Sequence, residues 1–169
     1  MNPFKLLRGA LAALAGRTEP RELAAAVALG MSLALIPKAN LLAQLLLALL
    51  FILKINTGLA LASSAAFLLA TPLTDPLADA IGYLLLVKAG WLTPFWTRLY
   101  DLPVVPWTSF NNTLVLGNAV LAALLFIPVY LAARAGITRY QEQIRRAVGR
   151  WKIVQALRAS AFLRRLTPQ

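Results

Sequence analysis

The chain has 169 residues, of which 60% are hydrophobic, with a mean hydropathy of +0.71 and a formal net charge of +11. A soluble domain averages roughly 45–50% apolar residues, so the excess points to lipid as solvent for part of the surface. With no Cys and no His, disulfides, thiolate nucleophiles, Ser-His-Asp and Cys-His machinery and Cys or His metal sites are all excluded. A metal would have to be held by carboxylates alone. The composition therefore predicts no enzyme, no cofactor and no metal.

Residues 1–17 read as an interfacial helix. Phe4, Leu7, Leu11 and Leu14 recur at helical spacing beside Lys5 and Arg8. The stretch is too short to cross a bilayer and suits a membrane surface or the protein's own body. A signal peptide begins in a similar way, but Arg17 ends the Ala-rich run early, and the segment is read as retained.

Residues 18–135 read as one membrane domain. Pro20 with Glu19 and Glu22 marks a helix start. The first broken segment, 20–53, is apolar but interrupted at Pro37-Lys38-Ala39-Asn40. Each half is about 15 residues, against about 20 for a crossing. A hairpin of short helices is favoured over a re-entrant hairpin or one kinked helix, because Pro37 removes a backbone donor and bars its predecessor from the α region. Ala26, Gly30 and Ala34 form a small-residue stripe suited to close helix packing.

Lys54-Ile55-Asn56-Thr57-Gly58 reads as a polar turn. The second broken segment, 58–88, is interrupted at Thr71-Pro72-Leu73-Thr74-Asp75-Pro76. Two successive apolar stretches thus carry a Pro-polar break, the pattern that points to midplane sites in transporters. Pro37, Pro72 and Pro76 are taken as helix breaks. Lys38, Asn40, Gln44, Thr71, Thr74, Asp75 and Asp79 are the candidate binding residues, with Lys38 and Asp75 paired or poised if the two breaks face each other. Asp75 and Asp79 share a helix face, although two carboxylates alone make a poor cation site. The simpler reading is a cap at Asp75.

The connector 89–111 carries Trp91, Trp96, Tyr100 and Trp107, expected as anchors at the membrane–water interface, with a short helix near 92–101 and an extended Pro-rich strip. Asn111 or Asn112 is the expected N-cap of a span over 112–133, and Asn118 is placed to bond across helices. Residues 136–169 read as a basic amphipathic cytoplasmic tail. From Arg134 onward there are nine basic residues and one acid, a net +8. Arg139, Arg145, Arg146, Arg150 and Lys152 would meet anionic headgroups, with Trp151 as a further anchor. A basic patch joined to a span meets acidic lipid before nucleic acid, so no nucleic-acid partner is expected.

By the positive-inside rule both termini face the cytoplasm. The crossings are then even in number: four if the first hairpin crosses fully, two if it is re-entrant.

Glu19-Pro-Arg-Glu-Leu-Ala24, Ala28-Leu-Gly30, Pro37, Lys54-Ile-Asn56 and Phe110-Asn-Asn-Thr113 together make most of residues 4–135 resemble a bacterial membrane family, domain of unknown function 2062, and its short relatives. That family usually has more Gly at the first break, where Met31, Ser32 and Ala34 stand here. The short relatives occur in bacteria with an outer membrane, encoded beside a large envelope protein. The resemblance implies an inner-membrane subunit of a two-protein envelope system, and it supplies neither a catalytic residue nor a substrate. The fold class expected is an all-α integral membrane protein: Pro-broken helical hairpins, a C-terminal span and amphipathic helices at both termini. The function expected is lipid or amphiphile transfer toward the envelope. The alternatives are a stand-alone small transporter or channel and a scaffold.

Overall fold

A computed structural model describes residues 19–53 and 55–150, with side chains through Arg139 and at Gln143. The expected interfacial helix over 1–17 and the part of the basic tail beyond Arg150, with Trp151 and Lys152, lie outside the described residues. So do the side chains of Arg145, Arg146 and Arg150.

The described residues form helices and turns, without strands. α1 (Pro20–Leu35) starts at Pro20 and stops before Pro37, with Ile36 in an extended conformation. Pro37 cannot continue the helix, and it bars Ile36 from the α region. Asn40 then caps α2 (Leu41–Ile52), its Oδ1 accepting from the Ala43 N–H at 2.9 Å. Asn56 caps α3 (Thr57–Leu68) through the Leu59 N–H at 2.8 Å. Leu69 and Ala70 form a turn before α4 (Thr71–Tyr83), and α3 meets the α4 rod at 81°. α4 runs into a π-helical turn (Leu84–Lys88) closed by the Ala89 N–H on the Leu84 carbonyl. The connector holds α5 (Thr93–Tyr100) and a 3₁₀ turn (Val105–Thr108). Asn112 accepts from the N–H groups of Leu114 and Val115 at 2.9 and 3.2 Å and starts α6 (Thr113–Arg150).

Three expectations change. The second break lies at Leu69–Ala70, ahead of the prolines: Pro72 is the second residue of α4, a position that needs no N–H donor, and Pro76 sits within the helix. The strip expected to be extended contains the 3₁₀ turn. The last span and the start of the tail are one helix through Arg150, with Pro128 inside it.

α1 is the core. Leu23, Ala24, Ala26, Leu29 and Leu33 are buried against Leu59 and Ala60 of α3 and Ile137 of α6, with Phe126, Tyr130 and Ala133 alongside. Met31 and Leu35, at its other end, join Ala78, Leu121 and Ala122, with Phe67 and Leu125 beside them. α1 therefore runs antiparallel to α6 and parallel to α3. At Gly30 a Cβ would stand 2.3 Å from the Ala60 carbonyl oxygen, so the α1 and α3 backbones are in contact there. α2 returns along α1, with Leu50 and Leu46 in the first cluster.

α4 lies against the start of α6, also antiparallel. Cβ atoms at Gly117 and Gly82 would stand 1.7 Å from the Ala78 carbonyl and 1.8 Å from the Thr113 carbonyl. α3 thus lies along α1 and α4 along the start of α6, with the 81° bend between them.

Much of the outside is apolar. Only Ala43 and Leu50 of α2 are fully buried, while Leu45, Leu47, Leu49, Phe51 and Ile52 are exposed. Leu69 and Leu73, each 83% exposed, flank the α3–α4 bend, and Leu124, Ile127 and Leu131 line the open side of α6. Within α6, Thr113–Arg139 is long and apolar enough to cross a membrane, and the α3–α4 pair meets the same test as a bent unit.

Candidate functional site

The polar side chains expected to meet at the two breaks are divided between two places. At the first break, the Lys38 ammonium donates to the carbonyls of Leu33, Ala34 (2.9 Å) and Ile36 (3.0 Å). These are the carbonyls a helix end leaves without partners. Lys38 closes the end of α1 with all three of its donors, so the expected Lys38–Asp75 pair does not form. Asn40 is spent on its capping bond, and its Nδ2 is buried with no partner. Gln44 stands exposed one turn into α2.

At the second break the hydroxyls turn back on nearby backbone carbonyls. Thr71 Oγ1 donates to the Leu68 carbonyl at 2.9 Å and Thr74 Oγ1 to the Thr71 carbonyl at 3.2 Å. The exposed bend thus presents leucine to its surroundings while its hydroxyl donors are satisfied.

The carboxylates belong to the α4–α6 seam. Asp75 is not a cap but an interior residue of α4, and its Oδ1 accepts from Asn118 Nδ2 at 3.1 Å. One turn on, Asp79 accepts from the Thr113 hydroxyl. Between these two bonds lies the Ala78–Gly117 backbone contact. Asn118 is 1% exposed and its Oδ1 has no partner. The seam is two side-chain hydrogen bonds clasped around a contact that only glycine permits. The cross-helix bond of Asn118 is thus as expected from sequence; its partner, and the roles of Gly82 and Gly117, go beyond that expectation. The signal was available: Ala78 and Gly82, like Thr113 and Gly117, repeat the four-residue spacing of small side chains at Ala26, Gly30 and Ala34. Among the described residues no group of three or more acidic side chains could hold a metal ion.

The aromatic connector splits as well. Trp91 (81% exposed) and Trp107 (72%) face outward, and Tyr100 is exposed. Trp96 does not: it is half-buried, its indole N–H donates to the Leu85 carbonyl at 3.0 Å, and its ring packs on Phe95 and Phe110. It fastens α5 to the π-helical turn rather than serving as a surface anchor.

These features define an all-helical protein built on one span-length apolar helix and a bent helical pair. Compared with known proteins, the chain is 37% identical over 138 residues to a protein of Treponema pallidum (strain Nichols) named only "Uncharacterized protein", covering 82% of each chain. It belongs to the family of that protein. No family model matches the chain, and no solved structure matches it.

Proposed function

We propose that this chain is a multi-pass inner-membrane subunit that works with a larger envelope protein, in the transfer of lipid or another amphiphile toward the cell envelope. The observation that carries the membrane part is the exposed surface of α2, the α3–α4 bend and α6. These faces are apolar over contiguous stretches that water would not tolerate on a monomer, and they carry no charge between Asn40 and Leu53. The outward Trp91 and Trp107 fit an aromatic belt at one end. The basic residues from Arg134 onward fit the cytoplasmic side at the other, with anionic headgroups as their partners. The partner rests on the resemblance to the membrane family, and the cargo class on the two broken apolar segments and the interfacial connector.

A stand-alone transporter is less well supported, because Lys38 is occupied with helix carbonyls and Asp75 with Asn118. The test is a purification of the tagged full-length chain from native membranes in mild detergent, preceded by alkaline carbonate extraction. The proposal expects the chain to stay with the membrane through carbonate and to bring one large envelope protein with it. Purification of the chain alone, from membranes that contain the large protein, contradicts the partnership and leaves the scaffold and transporter readings.

A further inference from the structure

α2 is too short for the surface it presents. Its 12 residues rise about 18 Å, whereas a bilayer's hydrocarbon core is about 30 Å thick. A narrow strip through Ala43, Leu46 and Leu50 holds it to the bundle, and the remaining circumference is exposed leucine, phenylalanine and isoleucine with Gln44 as its single polar side chain. Both ends are closed by polar turns, Lys38–Asn40 before it and Asn56 after it.

These ends lie at different levels of the bundle. Leu50 packs in the cluster that holds Leu23 and Ile137, while α2 also touches the Val105–Thr108 turn of the connector. That turn leads into Thr113, at the far end of α6 from Ile137. Leu35, just before the tip, packs with Leu121 and beside Leu114 of α6, so the tip at Pro37–Asn40 lies toward the connector end.

We propose that the α1–α2 hairpin passes through the whole bilayer and that the membrane is thinned against α2, so that phospholipids exchange between leaflets along this face. This rests on the membrane reading above and deepens it. A short apolar face between two polar turns draws the two interfaces together, the ordinary response to a hydrophobic stretch shorter than its membrane. Gln44, one turn below the tip, gives a descending headgroup a hydrogen-bonding partner. Elsewhere α6, whose apolar stretch Thr113–Arg139 spans 27 residues, is long enough for an unperturbed bilayer, which confines the thinning to the side of α2.

Because the chain has no cysteine, single cysteines in the full-length protein test the crossing. Carbonate extraction comes first: release of the chain defeats the membrane reading itself, an outcome distinct from failure of the crossing or of lipid exchange. In retained protein, Ala39→Cys and Thr97→Cys are expected to react with an impermeant maleimide from the same side of the membrane and Glu22→Cys from the other. Labelling of Ala39→Cys from the Glu22 side, or its protection from both sides, overturns the proposal in favour of a re-entrant hairpin. The second measurement reconstitutes the chain in dioleoylphosphatidylcholine vesicles containing a trace of fluorescent phospholipid, with dithionite added outside. Bleaching well beyond the outer leaflet's share is expected, slowed about fivefold by Gln44→Leu, the order expected for one lost hydrogen bond. Bleaching that stops at the outer leaflet, or a rate that Gln44→Leu leaves unchanged, overturns the proposal.

Discussion

Lys38 and Asp75 are the residues whose roles the structure alters most. Both are charges in the middle of apolar segments, a placement that usually marks function. Each instead acts locally. Lys38 supplies hydrogen bonds to the last carbonyls of α1, and Asp75 ties α4 to α6 through Asn118. Since they share no partner, Lys38→Ala and Asp75→Ala should be additive. In a double-mutant cycle read by thermal unfolding in detergent, the coupling should stay within about 0.5 kcal/mol. A larger coupling would restore the paired site. Asn118→Leu removes the donor to Asp75 and should cost about 1 kcal/mol in the same assay, the usual size of a polar contact between helices in lipid. Asn118→Asp should cost more, because it sets a second carboxylate against Asp75. Equal stability of the two variants would show that the bond to Asp75 contributes nothing. That Asn118 would bond across helices was legible from an amide within an apolar span. That Lys38 would turn back on its own helix was not, because its partners are backbone carbonyls that any residue supplies.

The elements are held together by small residues at points where backbones touch. Gly30 against Ala60, and Gly82 and Gly117 against Thr113 and Ala78, leave no room for a side chain. Gly117→Leu should therefore separate α4 from α6 and abolish the folded, monodisperse protein in size-exclusion chromatography. Gly136→Ala is the control: nothing lies within 4 Å of the added atom. It should be neutral or stabilising by up to about 1 kcal/mol, through helix propensity. Equal tolerance at both positions would contradict the tight seam. Helix existence was legible from apolar runs and caps, and the starts at Pro20, Asn40, Asn56 and Asn112 follow from residue chemistry. The exact place of the second break was not legible. Two prolines within six residues mark it, but proline is as comfortable in a first turn as beyond a helix end. The helix accordingly begins ahead of them, at Thr71. The continuity of α6 past Arg134 was equally hidden, since a change from apolar to basic residues alters the surface a helix presents and leaves the backbone hydrogen bonding intact.

On the scale of the molecule, one buried helix, α1, is wrapped by more exposed ones. This reverses the usual arrangement in which a helix end meets water and its flank meets the core: here the flanks of α2, α4 and α6 are apolar and open. The charges gather at the two ends, with Arg21, Arg134 and Arg139 at one and Lys88, Arg98 and Asp101 at the other. Composition made the apolar exterior legible before any fold was known, but which faces stay uncovered depends on packing angles that no periodicity in these leucine-rich segments records. Under the membrane proposal this exterior faces lipid. Nitroxides on single cysteines at Leu47, Leu77, Leu124 and Ile127, in the chain reconstituted into vesicles, test it most directly. Relaxation by oxygen, which concentrates in hydrocarbon, should exceed relaxation by a water-soluble nickel chelate at all four positions. The reverse order at these positions would place the same faces in water and contradict the proposal.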